Sequence, residues 1–212
     1  MSGGTTDDSH DRQWFIVERW QSYDGEARAN VLRLLAVGLF YAVQMLQFFW
    51  FGDRGPAETA FHRVATTIVA AWLFAGLGVH VLLVRRVFPP ALKFGTTAVD
   101  LGLLTLLAVF GGGPDSPLIL AYFLIIALAT LRFSLPLVRF ATLGAMVCYL
   151  ATVGAADRSW FDGDHVVPPV QQLVTLLSLG AAGVMLGQVI RRVRELADEF
   201  ARRTSATQRG AA

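Results

Sequence analysis

The sequence predicts an all-α polytopic membrane protein, a bundle of six transmembrane helices whose last helix continues into the cytoplasm as a coiled-coil-like extension. Composition is the first reason: of 212 residues 54% are hydrophobic and 16% charged, with a mean hydropathy of +0.51, too apolar for an ordinary soluble domain. The second is the recurrence of nearly charge-free apolar segments at residues 31–51, 64–84, 92–110, 118–131, 137–155 and 170–190. The third is an unequal division of lysine and arginine between the two sides that these segments define. A bilayer core about 30 Å thick takes roughly 20 helical residues per crossing. Six crossings then use about 120 residues and leave about 90 in seven pieces, none large enough for a soluble catalytic domain.

Residues 1–30 read as a cytoplasmic tail. They are polar, with Trp14, Val17 and Trp20 recurring every three residues beside Phe15, Ile16 and Tyr23, a pattern suited to a short helix at the lipid headgroups. No apolar run follows a short basic start with a small-residue cleavage site, so no cleaved signal peptide is expected. The six segments of residues 31–190 are too long for strands, and in lipid a helix satisfies its own backbone. Pro89-Pro90, Gly111-Gly112-Gly113-Pro114, Pro136 and Pro168-Pro169 mark where helices stop or start. The fourth segment is the shortest.

Orientation follows from the basic residues. With the N-terminus inside, the cytoplasmic set is Arg12, Arg19, Arg28, Arg33, Arg85, Arg86, Lys93, Arg132, Arg139, Arg191, Arg192, Arg194, Arg202, Arg203 and Arg209, against Arg54, Arg63 and Arg158 outside. Fifteen against three supports an even number of crossings, because an odd number would place the basic C-terminal tail outside. A bacterial inner membrane with both termini cytoplasmic is the expected location.

The residues able to carry chemistry are few. Asp100 is the acidic residue well inside a segment, seven residues past Lys93 and so roughly 10 Å into the membrane. His80 precedes Arg85 by five residues on the antiparallel second segment, at a comparable depth. Together they read either as a proton-sensitive or conformational switch or as a structural hydrogen bond. Tyr41, Gln44 and Gln47 are three apart and share a face; interhelical hydrogen bonding is their expected role, with lining of a small cavity the alternative. The external stretch 157–169 carries Trp160, Asp162, Asp164 and His165; a solvated loop accounts for them without a ligand, with metal or proton sensing the alternative.

Other classes are set aside on spacing. Cys148 is the single cysteine, which excludes an intramolecular disulfide and a CxxC site. Asp24-Gly25-Glu26-Ala27-Arg28 is one residue short of the start of a phosphatidyltransferase motif and lacks its two downstream aspartates. There is no Gly-x-Ser-x-Gly elbow, HExxH or P-loop, and no pair of histidines at one depth for a haem. No enzyme, cofactor or metal site is expected. The pI near 9.0 reflects charges beside apolar runs rather than a basic stripe, so nucleic acid is not expected as a partner.

The sixth segment carries the most informative pattern. Leu179, Ala182, Leu186, Val189, Val193, Leu196 and Phe200 are spaced alternately by three and four, a heptad seam that passes the membrane boundary at Arg191-Arg192 without losing register. Gly183 and Gly187 add a GxxxG step beside it. The expectation is one unbroken helix that self-associates through this face into a homodimer. Residues 191–212 form its cytoplasmic extension, and after Phe200 the pattern fades into an unstructured end.

These features resemble a known arrangement. Six spans with both ends inside, the stretch GGGPDSPLILAYFLIIALATLRF and the exit RRVRELADEFARR are similar to the six-helix membrane input modules of bacterial sensor histidine kinases and of some membrane-anchored adenylyl cyclases. Gly112, Gly113, Ser116 and Pro117 match a Gly-Gly before Ser-Pro that recurs in the kinase modules. The resemblance covers about residues 31–203 and implies a sensor that relays a membrane or external signal through helix six. The kinases continue into a phosphoacceptor helix and an ATP-binding domain, where this sequence has neither. The resemblance therefore implies a separate kinase, cyclase or regulator as partner, or a shortened relative. A small transporter or channel subunit, using Asp100, His80, Gln44 and Gln47 as pathway residues, and a membrane scaffold are the alternative readings.

Overall fold

The computed structural model describes residues 5–52, 55–85, 89, 91–157 and 167–210, with side chains described for 25–52, 55–85, 89, 91–157, 167–199 and 202. Every regular element among the described residues is helical, and the chain divides into two compact units, Met1–Thr96 and Thr97–Ala212.

The first unit is an antiparallel helical hairpin. Helix α1 (Thr5–Leu46) closes with one π-helical turn, Gln47–Phe51, and α2 (Pro56–Val84) returns beside it. Gly55 in extended conformation, Pro56 in the first turn and Glu58 near the positive helix end start α2, and the Thr59 hydroxyl donates to the Gly55 carbonyl at 3.0 Å. Asn30 bonds Gly76 and Tyr41 bonds Thr66, two pairs that fix the antiparallel register. The buried side of α1 is Ala29, Asn30, Arg33 and Val37; that of α2 is Ala65, Ile68, Val69, Trp72, Gly76 and Leu83. Leu32, Leu35, Leu39, Val43 and Leu46 lie exposed on α1, an apolar surface suited to lipid. The separate short helix expected ahead of the first segment is instead the beginning of α1. Gly25 is the one poor helix former nearby, and Ala27, Arg28 and Ala29 carry the helix past it.

The second unit packs α3 (Leu92–Phe110, whose first turn belongs to the first unit), α4 (Ala121–Thr130), α5 (Leu135–Ala156) and α6 (Pro169–Gly210). Helix α3 ends at Gly112 and Gly113, with φ of 103° and 69°, a left-handed turn that costs glycine nothing. Short 3-10 turns at Gly113–Asp115 and Pro117–Leu120 lead into α4. Ser116 caps the second of them, its hydroxyl oxygen accepting from the Leu118 amide at 3.3 Å. Residues 131–134 alone join α4 to α5.

Five helical stretches are long and apolar enough to cross a membrane: Gly25–Phe51, Pro56–Val84, Leu92–Phe110, Leu135–Ala156 and Pro169–Glu199. The fourth apolar segment, Pro117–Thr130, is shorter: four residues of 3-10 and ten of α-helix extend about 23 Å. The residues that flank it nonetheless meet two widely separated positions on one longer helix. Asp115 accepts from Gln171 near the start of α6, and the Phe133 carbonyl accepts from Arg194, about 35 Å further along the same helix.

Helix α6 runs unbroken for 42 residues, about 63 Å. The unstructured end expected after Phe200 is helical to Gly210, where Ala201, Arg202, Arg203, Ala206, Gln208 and Arg209 favour helix.

Candidate functional site

The polar residues of the first unit gather at its two ends. At one end the Thr66 hydroxyl donates to the His62 carbonyl at 2.7 Å, which commits its only hydrogen, so the Tyr41 hydroxyl is the donor in the 3.0 Å bond to Thr66. Tyr41 thus joins two helices, while Gln44 is half-buried and Gln47 exposed at the start of the π-helical turn. That turn stacks Phe48 on His62, with ring centroids 4.1 Å apart and planes 6° from parallel, and sets Phe49 edge-on to the same imidazole at 6.2 Å. Trp50 and Phe51 project outward, 76% and 78% exposed, where an aromatic belt would lie. Replacing Tyr41 by Phe removes the interhelical bond without changing shape. The expected loss is about 0.6 to 1.7 kcal/mol of unfolding free energy in mixed micelles, and an unchanged midpoint would show the bond to be energetically idle.

At the other end Glu26, Asn30 and Arg33 are buried. The Asn30 amide donates to the Gly76 carbonyl at 3.2 Å, and a Cβ placed on Gly76 would lie 2.5 Å from Leu34 Cδ2 and 3.1 Å from the Arg33 guanidinium, so the missing side chain lets the helices close. The register that pairs Asn30 with Gly76 sets Glu26 opposite the turn that contains His80. This cluster was not read from the sequence, where Arg33 counted only as a charge. His80 itself is exposed on α2.

Asp100, expected as its partner, belongs to the second unit, where it is 5% exposed on α3 one turn beyond buried Thr96 and Thr97. Arg132, from the corner after α4, donates through Nη1 to the Thr97 hydroxyl at 3.4 Å and so lies along the same helix face. Arg132, which the sequence placed in a cytoplasmic loop, thus reaches α3 one turn from Asp100.

At the opposite end of this unit three helices meet through hydroxyls. Thr105 and Thr152 each donate to a carbonyl of their own helix, Leu101 at 2.6 Å and Cys148 at 3.0 Å, and the Tyr122 hydroxyl lies 2.9 Å from Thr105 and 3.5 Å from Thr152. Tyrosine has one hydrogen, and the shorter contact takes it. Above this network sit Gly112, Gly113, Ser116 and Pro117. Gly113 and Ser116 are buried, and the four residues end α3 and begin the next helix, a physical reason for a Gly-Gly before Ser-Pro at such a corner. The expected loop residues Trp160, Asp162, Asp164 and His165 lie outside the described residues. No group of three or more histidine, cysteine or carboxylate side chains suited to a metal occurs among the described residues.

Helix α6 presents two faces. Leu179, Gly183, Gly187 and Ile190 are buried. A Cβ on Gly183 would lie 2.1 Å from Thr142 Oγ1 of α5, and one on Gly187 3.3 Å from Leu135 Cδ1. Within the chain the GxxxG step is thus packed against Thr142 and Leu135 of α5. Beyond Leu179, which begins the heptad seam and is itself buried, the seam lies about 100° around the helix from this stripe, at 100° per residue. Ala182 and Leu186 on it are half-buried, while Val189, Val193 and Leu196 are 53%, 42% and 48% exposed. The side chain of Phe200 lies outside the described residues.

No family model, curated protein or solved structure matches the chain. The longest apolar stretch of this all-α membrane protein, in α6, leaves the packed unit with one face held and the neighbouring apolar face exposed from Val189 to Leu196.

Proposed function

We propose that the protein is a sensor-like component of a bacterial inner membrane, crossing it six times with both ends cytoplasmic, and that α6 relays a membrane or external signal to a separate cytoplasmic partner. The carrying observation is the continuity of α6 from Gln171, held at Asp115, past Arg194, held at Phe133, to Gly210. A helix gripped at both ends of a packed unit and extended beyond it transmits rotation or axial shift. Six crossings are supported by the fourth segment, whose ends meet α6 at positions about 35 Å apart, and by the charge asymmetry of the sequence. Homodimerisation through Val189, Val193 and Leu196 fits a seam left open beside the bundle-facing stripe. The exposed part of the seam, Val189 to Leu196, spans about one heptad, fewer than the three or four that an isolated coiled coil needs, so the proposed dimer relies on membrane anchoring to hold the two copies together.

The test is affinity capture from native membranes in mild detergent, followed by mass spectrometry, with the full chain and with a full-length Val193→Ser, Leu196→Ser variant. Recovery of a kinase, cyclase or regulator with the unaltered chain and its loss with the variant is the expected outcome. Equal recovery of the same proteins with both, or of none, would remove the support for relay and turn attention to flux through reconstituted vesicles.

A further inference from the structure

The four-residue corner between α4 and α5 does more than reverse the chain. Its Arg132 side chain reaches Thr97 of α3, and the next residue, Phe133, offers its carbonyl to Nη2 of Arg194 on α6. Phe133 has φ of 47°, the one positive value at a non-glycine residue among those described. Its amide donates to the Thr130 carbonyl at 2.9 Å, its ring is 54% exposed, and buried Ser134 follows. The left-handed backbone is thus not repaid by packing of the ring. It does turn the carbonyl toward α6.

On α6 the same face meets this region twice. Gly187 lies on Leu135, the first residue of α5, and Arg194, two turns on, reaches Phe133. Beyond Arg194 the described residues of α6 are exposed. Arg192 provides a contrast two residues away: its guanidinium bonds Glu195 of its own helix at 3.3 Å, both side chains being exposed.

We propose that Arg194 is a positioning residue which, through the Phe133 carbonyl, sets the rotation at which α6 leaves the bundle, and that Arg132 ties this setting to the buried polar face of α3 formed by Thr96, Thr97 and Asp100. The corner is then the mechanical link between α3 and the exit helix. Its significance for signalling rests on the relay proposed above; the grip itself does not.

The experiment measures spin-label distances between positions 139 and 197, both exposed, in full-length chains with Cys148 replaced by Ala, reconstituted in lipid nanodiscs and diluted with unlabelled protein. The unaltered background gives one narrow distance. Arg194→Ala and Arg132→Ala lose it and show a second population, Arg194→Lys is intermediate because its ammonium can still donate but lacks the reach and fixed plane of the guanidinium, and Arg192→Ala keeps the single distance. A single narrow distance in Arg194→Ala, or equal broadening in Arg192→Ala, overturns the grip. If Arg194→Ala does not fold, the same reading is taken from Arg194→Lys, where a distance as narrow as in the background is the overturning result. Altered distances with unaltered partner capture would instead count against relay and leave the grip standing.

Discussion

Under the proposed relay, insertion of one alanine after Arg192 is expected to abolish output while leaving the membrane-embedded part folded. One added residue turns everything beyond it by about 100° and advances it by about 1.5 Å. Val193 and Leu196 then leave the line of Ala182, Leu186 and Val189, and Arg194 no longer faces Phe133. All the buried contacts of α6, from Leu179 to Ile190, lie before the insertion and are untouched. Thermal unfolding in detergent should therefore match the unaltered chain, whereas partner recovery should fall to background. A second insertion series sharpens the result: four added residues return the seam to within about 40° of its original direction and should restore part of the output. Output that survives the single insertion would show that α6 serves only as a tether.

The largest stability effect is expected for Gly183→Ile. An added Cβ alone would fall 2.1 Å from the Thr142 hydroxyl oxygen, 2.5 Å from its Cγ2 and 2.8 Å from its Cβ. Thr142 is 9% exposed and its hydroxyl already donates to the Val138 carbonyl at 2.8 Å, so it cannot turn away without breaking that bond. Overpacking of this kind costs about 1 to 3 kcal/mol and more when backbones must separate. The loss should appear as a lower unfolding midpoint in mixed micelles. Serine at Val189, Val193 and Leu196 should have the opposite profile, with reduced intermolecular crosslinking and an unchanged midpoint. Normal stability of Gly183→Ile would mean that the glycine face is not held against α5 as the structure has it.

Run length and charge made the helices legible: the apolar segments lie where α1 to α6 lie, and the continuity of α6 across Arg191-Arg192 followed from the seam. The facing of α6 did not. Its glycines and its heptad leucines and valines are both small or apolar, and periodicity measures the angle between two stripes without saying which neighbour each one meets. Tertiary contact decided it, through Thr142 and Leu135. The depth of Asp100 could be counted from Lys93, but the reach of Arg132 to Thr97 depends on a corner conformation that no glycine or asparagine at 131–134 announces. The hydroxyls of Thr105, Tyr122 and Thr152 come from three helices and have no sequence spacing in common, so only packing brings them together. The extent of α1 and α6 was underestimated for a simpler reason: polar residues end an apolar pattern without ending a helix.

The shortness of the fourth helical segment has a consequence for the lipid around it. Read as a crossing, its 14 residues supply about 23 Å of apolar length against a hydrocarbon core of about 30 Å. For so short a segment to cross, the chain flanking it, from Asp115 to Phe133, must supply the remaining length, or the bilayer must thin beside α4 at a fraction of a kcal/mol for each ångström of mismatch. Helix α6, clasped at Gln171 and Arg194, has no such deficit. Under the six-crossing relay proposed above, a thicker membrane would load this side of the second unit more than the other and pull on the corner that carries Phe133, so that bilayer thickness would act on the exit of α6.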